Sequence, residues 1–183
     1  MVGHPVCTAF IGSSRLEGMD ATPQHTFLFA DLVGFTAFTE RVGDETAADA
    51  AVAFQTAAAR LAAEYDCEVV KSLGDAVMIH GVTAARVVAL ALRISNELAE
   101  ERWCPPVRMG VHSGTAVRRG SDWYGATVNV AARLADAAAA GEVLISLTTR
   151  NLIAASGRMT IADRGPRSFK NVGAPVSVFA AAA

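Results

Sequence analysis

The sequence predicts an α+β fold: a ferredoxin-like antiparallel sheet in the order β-α-β-β-α-β, covered by helices and followed by extra C-terminal α/β elements. Residues 26–32 are apolar on both faces, as expected for a central strand that is buried from two sides. Two β-branched or apolar runs meet at Gly74, which is typical of a hairpin. A helical pattern lies on each side of this hairpin, and right-handed crossovers with short connections then favour the ferredoxin-like arrangement.

Each element is predicted from its own pattern of apolar and chain-breaking residues. Gly34 ends the first strand, and Ala, Val and Leu then recur at helical spacing, with an interruption near Gly43. In the next helix, Val87, Leu90 and Ile94 form one apolar stripe. In chain order the predicted elements are strand 26–32, helix 35–64, strands 67–73 and 75–80, helix 83–102, strand 107–113, a polar stretch around 118–121, helix 127–138, strand 143–146, helix 148–155, and strands 159–162 and 176–180.

Composition limits the classes of protein to consider. The 183 residues carry 16 Lys and Arg against 18 Asp and Glu, and 52% are hydrophobic, which fits one folded domain and excludes disorder. Because the net charge is −2 and the pI is near 6.1, no general electrostatic binding of nucleic acid or anionic lipid is expected. We expect residues 1–24, which lack periodicity, to form a flexible leader, and residues 25–183 to form the domain.

Neither membrane insertion nor secretion is expected. The longest apolar stretches, 47–63 and 84–98, are interrupted by charged residues such as Arg60 and Arg93, and a span needs about 20 clean residues. The amino end lacks the basic start and apolar run of a signal peptide. Three cysteines without a C-x-x-C pair suit a reducing compartment and no zinc site, so we expect a cytoplasmic location.

Asp31 and Asp75 form the first candidate site. In the ferredoxin-like order, the third strand lies beside the first and antiparallel to it, so Asp75 at its beginning meets Asp31 at the end of the first strand. Two carboxylates about 4 Å apart repel by roughly 4 kcal/mol at an effective dielectric of 20. A Mg²⁺ or Mn²⁺ ion would relieve this repulsion, since both prefer oxygen ligands. The alternative is that one aspartate only caps a strand and the other only occupies a turn.

The residues after Asp31 add a site for an anion. Gly34, Phe35 and Thr36 open a helix, and the free N–H groups at the start of a helix can bind phosphate. A metal site beside a helix start indicates a polyphosphate ligand.

Two further pairs are candidates for nucleotide recognition. Asn129 and Arg133 are four residues apart in a predicted helix, so both project from one face, where the amide suits a sugar and the guanidinium suits a phosphate. The alternative is an ordinary polar helix surface. Lys71 lies among apolar residues, where an unpaired amine is costly to bury, and we consider it together with Asp122. The alternative for Lys71 is protection of an edge strand from aggregation.

Three segments that carry these residues occur in order along the chain: FADLVGFT at 29–36, KSLGD at 71–75 and DWYGATVNVAARL at 122–134. Together they resemble the catalytic domain of class III nucleotidyl cyclases in its bacterial form, and the resemblance extends from about residue 24 to residue 180. It implies that residues 25–183 form a cyclase catalytic domain.

The resemblance implies roles for the candidate residues. Asp31 and Asp75 match the aspartates that bind two Mg²⁺ or Mn²⁺ ions, with the backbone carbonyl of Leu32 also near the metals. Lys71 and Asp122 match the pair that reads the purine. Because lysine only donates hydrogen bonds and an ionised aspartate only accepts them, this pair fits adenine, whose N1 accepts and whose N6 amine donates.

The resemblance also implies a reaction. Asn129 matches an asparagine that orients the ribose, Arg133 matches an arginine that steadies the α-phosphate, and Lys170 matches a lysine that reaches the triphosphate, although a surface lysine is as good an interpretation. The implied reaction converts ATP to 3′,5′-cyclic AMP and pyrophosphate.

Each site is then shared in a head-to-tail homodimer, with the metal ligands from one subunit and the base, ribose and phosphate contacts from the other. The alternative function is a catalytically weak or inactive nucleotide-binding module.

Overall fold

The computed structural model describes residues 24–101, 103–154 and 159–182. The predicted leader lies outside the described residues except for its last residue, Gln24. The elements are β1 (His25–Leu32), α1 (Phe35–Val42), α2 (Asp44–Glu64), β2 (Glu68–Leu73), β3 (Ala76–Gly81), α3 (Ala84–Ala99), β4 (Val107–Gly114), β5 (Val117–Arg119), β6 (Asp122–Tyr124), α4 (Ala126–Ala137), β7 (Val143–Ser146), α5 (Leu147–Ile153), β8 (Thr160–Arg167) and β9 (Val176–Ala182).

The predicted fold class is confirmed. In the described part of the chain, seven strands form one sheet in the order β2-β3-β1-β4-β7-β9-β8, and all neighbours are antiparallel except β4 and β7. The third strand lies beside the first, as predicted, with Asp31 opposite Ala76 and Phe27 opposite His80. β7, β9 and β8 extend the ferredoxin-like unit on the side of β4.

The two faces of β1 are covered differently. Leu28 and Leu32 point to the main core, which α2 and α3 close with side chains such as Phe54 and Leu90. Burying each such side chain contributes about 1.5–3 kcal/mol. Phe27 points to the opposite face, together with Met78, Ala131 of α4 and Trp123 of β6. Since strand residues alternate between faces, Asp31 lies on the same face as Phe27 and α4.

Helix α4 approaches the sheet most closely at Gly110. A Cβ atom at this position of β4 would lie 2.1 Å from the backbone nitrogen of Ala135 and 2.5 Å from the backbone oxygen of Ala131. Any side chain at Gly110 would therefore push α4 away from the strand.

Several boundaries differ from the prediction; α3, for example, ends at Ala99 and not at residue 102. Asp75 lies in the turn between β2 and β3, one residue before the strand in which it was predicted. The polar stretch around 118–121 joins β5 and β6 in a separate two-stranded sheet, because contacts with the rest of the fold stabilise polar strands there. β8 runs to Arg167, well beyond the predicted end at residue 162, since an edge strand with a bulge accommodates Gly165 and Pro166.

Burial of His112 gives the fold a pH dependence. The Nδ1 atom of His112 in β4 lies 2.6 Å from Oγ of Ser146, and burial lowers the pKa of His112 from 6.5 to about 4. The folded state thus favours the neutral ring. The contribution of His112 to the free energy of unfolding is fully present above about pH 6.5 and is lost progressively as the pH falls towards 4. In this range the unfolded chain binds a proton at His112 that the folded chain does not bind.

We expect the His112→Gln variant to lose less stability than the wild type on acidification. Between pH 7.5 and about pH 4.5, the free energy of unfolding of the wild type should fall by about 2 kcal/mol more than that of the variant. Unfolding in urea at each pH measures both values. Glutamine does not titrate, so the variant lacks the group that takes up the proton. Parallel losses in both proteins would show that other groups set the acid response.

Candidate active site

Asp31 and Asp75 lie at the same end of the sheet. Asp31 is the seventh of the eight residues in β1, and Asp75 lies in the turn that precedes β3. The backbone N–H of Leu32 donates to the backbone oxygen of Asp75 at 3.1 Å. The negative charge of Asp75 is close enough to raise the pKa of Asp31. The structure thus brings the two predicted carboxylates to the same end of the sheet. Leu32, the last residue of β1, connects the strand to the turn through its backbone hydrogen bond.

The turn that carries Asp75 is held from two sides. Gly74 adopts φ of 64°, a left-handed conformation that favours glycine. Its backbone oxygen accepts a hydrogen bond from Nε2 of Gln55 in α2 at 2.6 Å, while Leu32 binds the next carbonyl. Gln55 was not among the predicted site residues, and a glutamine on a helix gives no sequence signal for this contact.

Arg108 is a site residue that the sequence analysis missed. Its position in β4 is opposite Asp31, and its Nε and Nη2 atoms donate to Oδ2 of Asp31 at 2.8 and 2.6 Å. Among the described residues, Oδ1 of Asp31 accepts no side-chain hydrogen bond. A charged residue between the apolar Val107 and Met109 was the signal that could have identified it, by the same reasoning that singled out Lys71.

Burial raises the pKa of Asp31, and the bond and charge of Arg108 oppose that effect. The net rise means that Arg108 does not fully compensate the carboxylate for its burial. A divalent cation near the free oxygen would favour the ionised form.

Arg133 is linked to Asp31 by a chain of charges. Its Nη1 atom lies 2.8 Å from Oδ2 of Asp136, one turn further along α4. Oδ1 of Asp136 is 4.0 Å from Nη2 of Arg108, which bonds Asp31. The side chain of Arg133 is 39% exposed, so it is free to exchange Asp136 for another anion.

Asn129 lies one turn before Arg133 on α4, as predicted, and is exposed. Its position relative to the sheet follows from the contact of α4 with Gly110. The two side chains therefore project from a helix whose distance from β4 is fixed.

Lys71 and Asp122 form an ion pair between the two sheets. Nζ of Lys71 in β2 lies 2.7 Å from Oδ2 of Asp122 in β6. The hydrogen bond from Lys71 and the backbone N–H of Trp123 lower the pKa of Asp122. The carboxylate is thus held ionised beside a cation, with both side chains partly exposed to solvent.

The predicted phosphate-binding segment forms the start of α1. Gly34 precedes the helix with φ of 70°, and Thr36 is exposed. Phe35 packs against the core and lies 6.0 Å from the ring of Phe38. A cleft of about 420 Å³ opens beside this segment, lined in part by Gly34 and Arg41.

Lys170 is exposed in the connection between β8 and β9. Its neighbours Phe169 and Val172 pack against an apolar cluster that includes Val130 and Leu134 of α4. The connection therefore lies beside the helix that carries Asn129 and Arg133, but in the described part of the chain no hydrogen bond or ion pair joins Lys170 to another site residue.

The described residues contain no group of three or more His, Cys, Asp or Glu side chains that could hold a metal ion. The two aspartates could supply only part of a coordination shell, which suits Mg²⁺ because this ion keeps several waters and takes substrate phosphate oxygens as ligands.

Comparison with known proteins identifies the family. The model for "Adenylate and Guanylate cyclase catalytic domain" matches residues 18–179. The chain belongs to this family.

Two curated relatives are named adenylate cyclases. An adenylate cyclase of Streptomyces griseus is 38% identical over 117 residues, which cover 64% of this chain and 29% of the relative. The pH-sensitive adenylate cyclase MT1302 of Mycobacterium tuberculosis is 35% identical over 162 residues, covering 85% of this chain and 40% of the relative. The chain spans about a third of the length of the curated relatives it matches.

Solved structures agree with this assignment. The adenylyl cyclase CyaB from P. aeruginosa superimposes with a TM-score of 0.77 at 26% identity, covering 87% of this chain and 94% of that one. Within the residues that the structure describes, no helix has the length and apolar character needed to cross a membrane.

Proposed function

We propose that this chain converts ATP to 3′,5′-cyclic AMP and pyrophosphate. The observation that carries the choice of base is the ion pair of Lys71 and Asp122 at 2.7 Å. Lysine offers donors only and the ionised carboxylate acceptors only, which matches the acceptor N1 and the donor amine of adenine, whereas guanine presents the reverse pattern. The names of the two curated relatives support the same substrate.

Asp31, Asp75 and the backbone carbonyl of Leu32 would hold two Mg²⁺ or Mn²⁺ ions. The donor set fits, because these oxygen atoms are hard ligands and Oδ1 of Asp31 accepts no side-chain bond from a described residue. When bound, such ions lower the pKa of the ribose 3′-hydroxyl and neutralise the charge of the phosphates.

The remaining residues would position the nucleotide. Asn129 would orient the ribose, and Arg133 would exchange Asp136 for the α-phosphate. The start of α1 at Gly34, Phe35 and Thr36 would bind phosphate oxygens through its N–H groups. Lys170 would reach the triphosphate from the connection that lies beside α4.

These contacts favour in-line attack. The ribose 3′-oxygen forms a bond to the α-phosphorus while the bond to the pyrophosphate oxygen breaks, and the hydroxyl proton passes to solvent. Positioning and charge neutralisation supply the acceleration, as in other phosphoryl transfers.

We further propose that two copies of the chain pair head to tail and share two equivalent sites. Leu73, Val117 and Tyr124 support this proposal, because they are 53%, 50% and 56% exposed. All three lie on β2, β5 or β6, the elements that carry or adjoin Lys71 and Asp122. A second copy that covered these apolar side chains would remove them from water.

An assay of cyclic product tests both proposals. The chain is incubated with ATP or GTP and Mg²⁺ or Mn²⁺ over a range of protein concentrations. We expect cyclic AMP to exceed cyclic GMP by at least about 100-fold, since a site built to hydrogen-bond one base rejects the other. The rate should rise faster than linearly with protein concentration if pairing completes the site. Nucleotide binding without product at any concentration would instead support the inactive binding module.

A further inference from the structure

The indole ring of Trp123 is the point at which the small β5–β6 sheet meets the main sheet. Trp123 is 7% exposed and directly follows Asp122 in β6. Its ring centroid lies 4.3 Å from that of His25 and 4.5 Å from that of His80, and the ring of Phe27 meets it edge-on at 5.6 Å. Three strands, β1, β3 and β6, thus converge on one side chain.

The other contacts of the ring also restrain it. The guanidinium of Arg118 in β5 lies 5.7 Å from the ring centroid and bonds Glu68 of β2 at 3.0 Å. The two histidines are themselves hydrogen-bonded at 3.0 Å. In the described part of the chain, the buried Nε1 of Trp123 has no hydrogen-bond partner. The ring therefore contacts the main sheet through packing and stacking.

The backbone of Trp123 connects this packing to Asp122. Its N–H donates to Oδ1 of Asp122 at 2.8 Å, while Lys71 donates to Oδ2 at 2.7 Å. The two carboxylate oxygens of Asp122 thus accept hydrogen bonds from different donors. Lys71 belongs to the main sheet and Asp122 to the small sheet, so the distance between them depends on the contacts that hold the two sheets together. The ring of Trp123 supplies several of these contacts.

We propose that Trp123 is a positioning residue that determines base selectivity by holding Asp122 at a fixed place relative to Lys71. This inference rests on the proposed function, since it assigns the tryptophan to the pair proposed to read adenine. A polar pair discriminates between bases only when both groups meet the base edge at hydrogen-bonding distance. Loosening the contact between the two sheets should therefore relax this discrimination between adenine and guanine.

The test compares Trp123→Phe with Trp123→Ala. For each protein, kcat and KM are measured with ATP and with GTP, and the ratio of the two kcat/KM values gives the selectivity. Phenylalanine keeps an aromatic ring at this position, although a smaller one without the N–H, so its selectivity should stay within about threefold of the wild type. Alanine should lower the selectivity at least about tenfold, mainly by raising KM for ATP.

Phe179→Ala is the matched control. Phe179 is a buried aromatic residue of β9 with the guanidinium of Arg150 5.0 Å from its ring centroid, but it lies on the far side of β4 from Lys71. Its truncation should lower the melting temperature without changing the selectivity. If Trp123→Ala does not fold, Trp123→Leu replaces it with the same readout.

The possible outcomes separate the two proposals. An active wild type whose selectivity is unchanged in folded Trp123→Ala or Trp123→Leu would overturn the role of Trp123 and leave the proposed reaction standing. An equal loss of selectivity in Phe179→Ala would also overturn it, because general destabilisation would then explain the effect. A wild-type chain that forms no cyclic nucleotide would overturn both proposals together.

Discussion

Cyclic AMP formation should fall at least about 1000-fold when Asp31 is replaced by asparagine. Asparagine keeps the size of the side chain but lacks the charge that the proposed metal ions would require. A loss of about 4 kcal/mol in transition-state stabilisation corresponds to this factor. The assay measures initial rates with ATP over a range of Mg²⁺ and Mn²⁺ concentrations. Mn²⁺ binding, followed by electron paramagnetic resonance, should weaken in parallel.

Asp49→Asn is the control for this prediction. Asp49 is an exposed carboxylate on α2, and its removal changes the net charge equally. It should leave the rate and the binding of Mn²⁺ unchanged. An Asp31→Asn variant with wild-type affinity for Mn²⁺ would contradict the assignment of Asp31 as a metal ligand.

A mixture of two inactive variants tests the shared site. Asp31→Asn would lack the proposed metal ligand and Asn129→Ala the proposed ribose contact, so a mixed dimer would contain one intact site and one doubly damaged site. With random pairing of equal amounts, we expect about a quarter of the wild-type rate at equal total protein. Since Arg133 lies near Asp31 of its own chain through Asp136 and Arg108, the absence of any recovery would show that each chain forms its own site.

Replacing Arg133 by alanine should lower kcat by about 100- to 1000-fold and change KM for ATP less than tenfold. The reason is that a guanidinium on the α-phosphate is needed most when negative charge develops there in the transition state, by analogy with the loss of an oxyanion donor. Steady-state kinetics with ATP separate the two constants. A kcat close to that of the wild type would exclude Arg133 from the reaction.

Arg93→Ala is the matched control for Arg133→Ala. Arg93 is also a partly exposed arginine paired with a carboxylate on its own helix, Glu97, at 2.9 Å. Its replacement removes an equivalent surface ion pair, which contributes about 0–1 kcal/mol to stability. Both constants should remain at wild-type values.

The main sheet could be predicted because its strands are read from local patterns. The apolar run of β1 and the turn at Gly74 determine the central hairpin order without reference to the rest of the chain. β5 and β6 could not be predicted, because Arg118 and Asp122 are polar and their strands depend on the contacts of Trp123. The extent of β8 was missed for a related reason, since Pro166 is tolerated only at a sheet edge.

The candidate site also contains residues that the sequence predicts and contacts that only the structure reveals. The positions of Asp31, Asp75 and the pair of Lys71 and Asp122 follow from motifs and strand order, and the structure brings the members of each pair together. Their roles remain predictions. The pairing of Arg108 with Asp31 and Asp136 became visible only in three dimensions, because it depends on strand register and on side-chain direction.

Gly110 has a consequence for how the sequence can vary. Backbone meets backbone at this point, so the height of α4 above the sheet does not depend on side-chain rotamers. Residues on the outer surface of α4 can therefore be substituted without displacing Asn129 or Arg133. A methyl group at position 110, in contrast, would shift the helix and displace both side chains together. Gly110 has no functional side chain, yet it is the position at which substitution would most directly displace the candidate site residues of α4.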